Sequence, residues 1–328
     1  MNRPRRFFLK RLSTLVPALF VSGQVSGKPP EPPVAKPFQV GTQLFATNEF
    51  QQALDALSDG GTLLIRGGAS YHVTGTLSRD NVTITAVGGK ATLDGLMKQN
   101  FPTAGKGLIV QTGQAATYED LIFQNVRVPD DNGVGVRVEG VGATTFRRCE
   151  FRDSQEGILT DNNSNCQIVM VDCIGENLGA GDGQSHGVYC GTIGSLTITG
   201  GSWTDSNVGH LIKSRAARTR IKNVQLVEGR ASRAVDVPNG GVVEIIGCTI
   251  EQSDATNNPD IIGYGLEVGA PFWPENSFTF AANNEVTNTR NPPGPVFSYA
   301  NWFNSVGTKI VEHYTYNGSN VNPPGATV

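Results

Sequence analysis

Six short, similar segments recur along this chain at a nearly constant interval. They are FQNVRV, FRRCEF, MVDCIG, ITGGSW, IKNVQL and IIGCTI, and their fourth residues are Val126, Cys149, Cys173, Gly201, Val224 and Cys248. The intervals between those residues are 23, 24, 28, 23 and 24 positions. A period in the twenties with strand-like composition is typical of a solenoid, in which each repeat forms one turn, or rung, stacked on the next. The repeat therefore predicts one elongated domain rather than several globular ones.

A turn and a second β-rich segment follow each of these repeats, for example GVGVRVEGV from Gly133 and HGVYCGTIG from His186. Runs of Val, Ile and Thr are bounded by Gly, Asn and Asp, and the chain holds 40 Gly, which indicates short strands between turns. Strands that pair with their equivalents one rung later form parallel sheets, and parallel crossovers are usually right-handed. The predicted fold class is all-β, a single-domain right-handed parallel β-helix over residues 39–316.

One amphipathic helix is predicted before the first strand, from Asn48 to Leu57. Phe50, Leu54 and Leu57 fall on one side of it, and Thr47 or Asn48 is its N-cap candidate. The end rung of a solenoid exposes backbone edges and apolar interior. We therefore expect this helix to cap the N-terminal end of the β-helix.

The first 27 residues have the pattern of a twin-arginine export signal. Arg5-Arg6 is followed one residue later by Phe8-Leu9-Lys10, and a modest apolar run extends from Leu15 to Val21. That run is too short and too weakly apolar to cross a bilayer. We expect the protein to be exported, to a periplasm or outside the cell.

The charge that remains after this signal is acidic. The signal holds five of the 26 Lys and Arg residues and none of the 29 Asp and Glu residues, which leaves 21 basic against 29 acidic. This excess argues against nucleic acid and anionic membranes as partners. Residues 28–38 are predicted to be a Pro-rich linker, and 317–328 a disordered tail.

The cysteines follow the repeat. Cys149, Cys173 and Cys248 share one repeat position, which predicts a ladder of small side chains inside the β-helix. No Cys or His spacing indicates zinc. A disulfide between adjacent rungs stays open, because an exported protein meets oxidising conditions.

The first turns also carry a resemblance. The segments FQQALDALSDGGTLLIRGGASYHVTGTL and NVTITAVGGKATLDG resemble the opening of the right-handed parallel β-helix superfamily typified by pectate lyases. The likeness extends from Leu44 to about Asn288. It implies the fold and a polysaccharide-active protein, while this fold hosts lyases, hydrolases, epimerases and proteins with no known reaction.

Polar side chains are concentrated on consecutive second strands in the middle of the repeat. The candidates are His186, Tyr189, His210, Lys213, Arg215, Arg233 and Asp236, with Asp182 and Asn239 nearby and with Tyr264 and Glu267 on the next rung. Equivalent positions on stacked rungs lie about 5 Å apart. Aligning the rungs at Gly201, Val224 and Cys248 predicts that Ile212 stacks between Tyr189 and Asp236. It also predicts that Gly209 lies between His186 and Arg233.

These residue types suit β-elimination on a uronate-containing polysaccharide. The reaction needs a cation that neutralises the sugar carboxylate, a base for the C5 proton and an acid for the leaving oxygen. Lys213-Ser214 with Arg233 a rung later is similar to the arrangement in alginate-lyase-like β-helix enzymes. That resemblance implies Lys213 as base and Arg233 as acid or carboxylate clamp. Arg215 competes as clamp.

The remaining candidates have less specific roles. His186, Tyr189 and His210 are further acid–base candidates. We expect Asp182, Asp236, Asn239, Tyr264 and Glu267 to bind substrate. No metal site is predicted, because the calcium ligands expected near Lys213 in that family are poorly matched by Asn177, Ser206 and Asn207; Ca²⁺ stays an alternative to Arg as the neutralising cation.

One alternative is that these charged side chains only form ion pairs on the surface. Three functional alternatives also stay open. A glycoside hydrolase would use paired carboxylates, here Asp161, Asp182, Asp236 and Glu267. A C5-epimerase would use the same chemistry as a lyase. A non-catalytic carbohydrate-binding β-helix would use aromatic side chains, of which this chain offers Tyr264, Phe272, Trp273, Tyr299 and Trp302 in its last rungs. The alternative role of these aromatics, slightly favoured, is to close the C-terminal end of the β-helix. The favoured expectation is an exported lyase acting on an anionic polysaccharide.

Overall fold

The computed structural model describes residues 38–40, 43–45, 49–98, 101–102, 105–306, 310–318 and 326–327. The predicted export signal, and the linker up to residue 37, lie outside the described residues, so both stay predictions. Within the described ranges, no helix combines the length and the apolar character needed to span a membrane.

Strands dominate the described part of the chain and form two sheets. Sheet A contains β1 (Phe38–Val40), β2 (Gln43–Phe45), β3 (Thr62–Arg66), β4 (Ser70–Tyr71), β6 (Val82–Val87), β7 (Ala91–Asp94), β9 (Ala116–Glu119), β10 (Leu121–Gln124), β12 (Gly142–Arg147), β13 (Glu150–Arg152), β15 (Cys166–Glu176), β17 (Ser195–Thr204), β19 (Arg218–Lys222), β20 (Gln225–Val227), β22 (Val242–Ile246), β23 (Thr249–Gln252), β25 (Ser277–Asn288) and β27 (Ile310–Gly318). Sheet B contains β5 (Gly75–Leu77), β8 (Gly107–Gln111), β11 (Val134–Val138), β14 (Glu156–Thr160), β16 (Val188–Cys190), β18 (Ile212–Ser214), β21 (Val235–Val237), β24 (Ile262–Tyr264), β26 (Phe297–Tyr299) and β28 (Ala326–Thr327). The helices are α1 (Phe50–Asp55) and a 3-10 helix (Asn301–Val306).

The chain winds as a parallel β-helix. In sheet B each strand pairs in parallel with the equivalent strand one rung away, for example β16 with β18 and β18 with β21. In sheet A the long strand β15 pairs with both β12 and β13, so that sheet bends around a corner. The predicted fold class, an all-β right-handed parallel β-helix capped by a helix, is confirmed.

Residues that tolerate a left-handed backbone form the bend in sheet A. Asp120, Asp172, Gly200, Asn223 and Gly247 all have positive φ between 52° and 68° and occupy equivalent places on their rungs, and on the rung between Asp120 and Asp172 this place is taken by Arg148 with φ 51°. Asp, Asn and Gly adopt this conformation more readily than other residues. An Asp, Asn or Gly at this repeat position therefore marks the corner of sheet A on these five rungs.

The interior is filled by columns of like side chains. Phe123 stacks on Phe151 with ring centroids 5.3 Å apart. Register places Cys149 beside Cys173, and both are fully buried, which confirms the predicted cysteine ladder. All five cysteines are buried and unpaired.

Helix α1 covers the N-terminal end of sheet B. The Gln51 side chain donates to the Thr76 carbonyl at 3.0 Å and accepts from the Thr76 amide at 2.7 Å, so it occupies the open edge of β5. This contact confirms the capping role. The helix is shorter than predicted. Its N-cap is Glu49, whose side chain makes no capping hydrogen bond, and the predicted N-cap candidates at 47 and 48 lie outside the described residues.

Strand pairing continues past the predicted end of the β-helix. Strand β27 extends to Gly318, and Ala326 pairs with Ser298 of β26. These short strands do not test the predicted disordered tail over residues 317–328, which stays a prediction. The rest of that segment lies outside the described residues.

Candidate functional site

One column on the outer face of sheet B consists of Tyr189, Lys213 and Asp236. Tyr189 pairs with Lys213, and Lys213 pairs with Asp236. The prediction that Ile212 lies between Tyr189 and Asp236 is wrong. Ile212 points into the core instead and is fully buried.

The error has a local cause in the turns that follow these strands. The turn after β16 spans residues 191–194 and the turn after β21 spans 238–241, but the turn after β18 spans only 215–217. Counting a constant number of residues back from sheet A therefore shifts β18 by one position. A shift of one residue moves every side chain of a strand to the other face.

Two cations of this site converge on one carboxylate. Lys213 Nζ lies 2.7 Å from Glu267 Oε1, and Arg215 Nη2 donates to Glu267 Oε2. Arg215 is held in place by Asn239, whose Oδ1 accepts from Nη1 at 2.7 Å, and its Nε donates to Tyr189 Oη at 3.3 Å. The arrangement is a two-cation carboxylate clamp.

Asp236 is the buried carboxylate at the base of the site. Its Oδ1 accepts from Arg233 at 3.3 Å, while Oδ2 lies 3.5 Å from His210 Nε2 and 3.9 Å from Lys213 Nζ, without a hydrogen-bond partner among the described residues. Burial raises the pKa of Asp236 to about 6, although Arg233 and Lys213 act to lower it. A carboxyl group with this pKa exchanges protons near neutrality.

The rung that follows leaves room for this carboxylate. Gly263 pairs with Asp236, and a Cβ at that glycine would lie 2.6 Å from Asp236 Oδ1 and 3.1 Å from Arg233 Nε. A side chain at position 263 would therefore displace the Arg233–Asp236 pair.

The two histidines form a second, parallel column. His186 and His210 stack with ring centroids 4.9 Å apart, so the prediction that Gly209 lies next to His186 is wrong, for the same one-residue shift. His186 Nδ1 accepts from the His210 amide at 3.0 Å. Burial, with a smaller effect of Lys213, lowers the pKa of His186 to about 3, and burial and His186 lower that of His210. Both rings are therefore neutral near pH 7.

Glu267 follows the strand of its rung and does not belong to it. Strand β24 ends at Tyr264, and residues 265–276, here called the covering segment, return over the outer face of sheet B before β25 begins. Besides the Glu267 contacts, Trp273 Nε1 donates to the Arg215 carbonyl at 3.1 Å. The segment covers the clamp, and its position cannot be read from the repeat because it lies outside the repeating strands.

Two predicted substrate-binding residues lie elsewhere. Asp182 caps its own turn, where its Oδ1 accepts from the amides of Gln184 and Ser185 at 3.0 Å. Tyr264 points into the core and donates to the Gly241 carbonyl at 2.7 Å. It is the last residue of β24 and has the inward orientation of Ile262, so the structure does not bring it to the outer face.

Sequence reasoning missed two buried acids next to the histidine column. Asp260 Oδ2 accepts from Arg233 Nε at 2.6 Å. Glu156 is fully buried, neither of its carboxylate oxygens has a hydrogen-bond partner among the described residues, and burial raises its pKa well above the usual range. Asp260 follows Arg233 by 27 residues, about one rung, and this spacing could have identified it as a neighbour of Arg233. Glu156 precedes His186 by 30 residues, and this longer interval hid the fact that the two residues occupy equivalent positions.

A pocket of about 540 Å³ opens beside the Arg233–Asp260 pair. Its walls include Leu266 and Val268 of the covering segment, with Ser298 and Trp302 from the last rungs. Trp302, one of the aromatics expected either to bind sugar or to close the end of the β-helix, therefore lines a cavity and also packs against Tyr264 with ring centroids 6.0 Å apart.

The cluster is balanced in charge. Its cations are Lys213, Arg215 and Arg233, and its carboxylates are Asp236, Asp260 and Glu267. The cluster therefore carries no net positive charge while Glu267 occupies the clamp. Among the residues that the structure describes, no three His, Cys, Asp or Glu side chains are grouped so that they could hold a metal ion.

Comparison with models of protein families, with curated proteins and with solved structures gave no match. The functional argument therefore depends on the fold and on this geometry.

Proposed function

We propose that this protein cleaves an acidic, uronate-containing polysaccharide by β-elimination at the cluster around Lys213 and Asp236. The observation that carries the proposal is the pairing of a two-cation carboxylate clamp with a buried carboxyl group whose pKa is about 6. Elimination at a uronate needs both: cations that neutralise the sugar carboxylate and a base that removes the neighbouring proton.

The geometry supports different roles from those that the resemblance implied. Lys213 is held between Glu267 and Asp236, so its ammonium group suits carboxylate binding better than proton abstraction. Arg233 is held by Asp236 and Asp260, and we assign it the role of positioning Asp236. Arg215 completes the clamp with Lys213.

Asp236 and Tyr189 would then move the protons. Asp236 in its ionised form takes the C5 proton, and the electron pair of that C–H bond forms a double bond between C4 and C5. The C4–O bond breaks, and its electron pair goes to the leaving oxygen. Because Tyr189 Oη accepts from Arg215, its own proton is free to be donated to that oxygen. The products are an unsaturated uronate end and a new hydroxyl end.

A pectate-lyase-like relationship and export of the protein belong to the same proposal. The parallel β-helix supports the first, and the twin-arginine pattern of residues 1–27 supports the second. Acidic polysaccharides of this kind are met outside the cytoplasm, which is consistent with both.

A glycoside hydrolase is the second candidate, and one observation favours it. The pKa of Asp236 is raised, whereas hydrogen bonds from Lys213 and Arg215 overcome the effect of burial and lower the pKa of Glu267. Two nearby carboxyl groups with pKa values shifted apart are the pattern of an acid and a base in glycoside hydrolysis.

The test is a turnover assay on a panel of acidic polysaccharides, with ultraviolet absorbance reporting the new double bond. We expect wild type to produce the signal and Lys213→Ala to reduce its rate by at least about 10²-fold. Lys222→Ala on sheet A is the matched control and should behave as wild type. New reducing ends without absorbance would favour the hydrolase, and no cleavage of any kind would contradict both enzymes.

A further inference from the structure

The position of Glu267 relative to its two cations is the starting observation. Its side chain is 41% exposed, while the side chains of Lys213 and Arg215 are 10% and 21% exposed. The cations therefore form the floor of the site, and the carboxylate lies on the solvent side. A carboxylate that arrives from solution would approach from the side that Glu267 now occupies.

The backbone around Glu267 is held at few points. Among the described backbone hydrogen bonds, Gly265 donates to the Val237 carbonyl at 2.8 Å and Val268 donates to the Gly265 carbonyl at 3.4 Å. The Val268 carbonyl also accepts from Trp302 Nε1 at 2.9 Å. Further along the covering segment, the contacts to the rest of the protein come from side chains such as Trp273 and Glu275. A segment with few backbone hydrogen bonds opens at a lower free-energy cost than a strand of the β-helix.

We propose that Glu267 occupies the binding position of a ligand carboxylate, and that a uronate binds to Lys213 and Arg215 by displacing it. The inference rests on the proposed function, since it names the subsite where the sugar carboxylate is held. The exchange replaces one carboxylate by another, so neither cation is left buried without a partner, and Glu267 moves only from a half-exposed place into water. Displacement also supplies the net positive charge that the balanced cluster lacks.

Neighbouring groups define which carboxylates fit. Tyr189 and Asn239 fix the orientation of Arg215, and Asp236 lies beside Lys213. The proposed base therefore lies next to the carboxylate subsite. The clamp would add no affinity for neutral sugars.

Binding measurements test this directly. Isothermal titration with disaccharides of glucuronate, galacturonate and mannuronate should show that Glu267→Gln binds at least one of them about fivefold more tightly than wild type, the effect of removing a partly exposed competing ion pair. Glu275→Gln, a carboxylate of the same segment that pairs with the exposed Arg218, should leave the affinity unchanged. Lys213→Ala should lose the binding, and the corresponding neutral disaccharides should not distinguish the variants.

Equal or weaker binding of the acidic disaccharides by Glu267→Gln would overturn the inference. Glu267→Ala provides a second variant, and thermal melting shows whether either variant is folded. Tighter binding without any double-bond formation would support the carboxylate subsite and contradict the elimination. Cleavage that is lost in Glu267→Gln without a gain in affinity would make Glu267 a catalytic residue and refute its role as a placeholder.

Discussion

The outer faces of sheets A and B carry the same kinds of charged pairs in different surroundings. On sheet A, Arg220 and Glu244 lie 2.7 Å apart, and the Arg220 side chain is 50% exposed. Beside sheet B, two residues before β21 and β24, Arg233 and Asp260 lie 2.6 Å apart, with the arginine side chain only 17% exposed. The Arg220–Glu244 pair remains hydrated, whereas the covering segment and the last rungs remove water from the Arg233–Asp260 pair.

The comparison shows how a repeat acquires a site. Stacked rungs place charges on both faces, but only burial shifts the pKa of a carboxyl group toward neutrality, as at Asp236. In this protein an insertion between two strands, rather than a change in the strands themselves, distinguishes the candidate active face from an ordinary hydrated surface. Three predictions test this difference, from the largest expected effect to the smallest.

Asp236→Asn should have the largest effect, on turnover. Removing a general base lowers the rate by about 10²- to 10⁴-fold, whereas Glu244→Gln on sheet A should leave it unchanged. The base must be ionised, so the rate of the wild type should rise with pH through about 6 and level off above it. Steady-state kinetics across this range check both statements. A variant that retains most of its activity would show that the buried face contains no base at this position.

Asp260→Ala should have the next largest effect, on stability. It removes one of the two buried carboxylates that hold the partly buried Arg233, and breaking a buried ion pair costs about 3 kcal/mol. Glu244→Ala, which breaks the exposed pair with Arg220, should cost less than about 1 kcal/mol. Denaturant unfolding of the two variants gives both values. Equal costs would remove the distinction between the two faces.

Glu156→Gln should have the smallest effect, and it should be stabilising. Burial raises the folded-state pKa of Glu156, so its contribution to stability is fully present below its unfolded pKa and is lost as pH rises through the folded pKa. The neutral amide of the variant does not ionise, so this loss of stability is absent. We expect the free energy of unfolding to increase by roughly 1 kcal/mol near pH 8 and to stay unchanged near pH 4.

Thermal melting at the two pH values provides the measurement for Glu156→Gln, with the half-exposed Glu244→Gln as control. A destabilised variant at the higher pH would mean that the ionised Glu156 carboxylate is stabilised by a contact that the geometry does not show.

The sequence was sufficient for the fold because each rung repeats the same physical requirements. The interior column at Cys149 and Cys173 and the left-handed corners at Asp172 and Asn223 recur at regular intervals, and α1 has its amphipathic pattern next to the first strand. Local pattern and global fold agree in these elements, which makes them predictable.

The site was predictable only as a neighbourhood. Lys213, Arg215, Asp236 and Asn239 do lie together, but a turn shorter by one residue made the predicted register of β18 against its neighbours wrong by one position. The covering segment follows no repeat, so neither the burial of Asp236 nor the clamp on Glu267 could be derived from rung spacing. Irregular connections, which determine the chemistry here, carry the least periodic information.

Mass spectrometry of the fragments from a cleaved acidic polysaccharide tests the central claim most directly. Elimination adds no water, so the fragment that bears the new non-reducing end should be lighter by one water than the hydrolytic fragment of the same length. We predict this lighter fragment with wild type and with Lys222→Ala, and its loss with Asp236→Asn. Two results would contradict the account: a fragment with the new non-reducing end that has the full hydrolytic mass, or a lighter fragment that persists in Asp236→Asn.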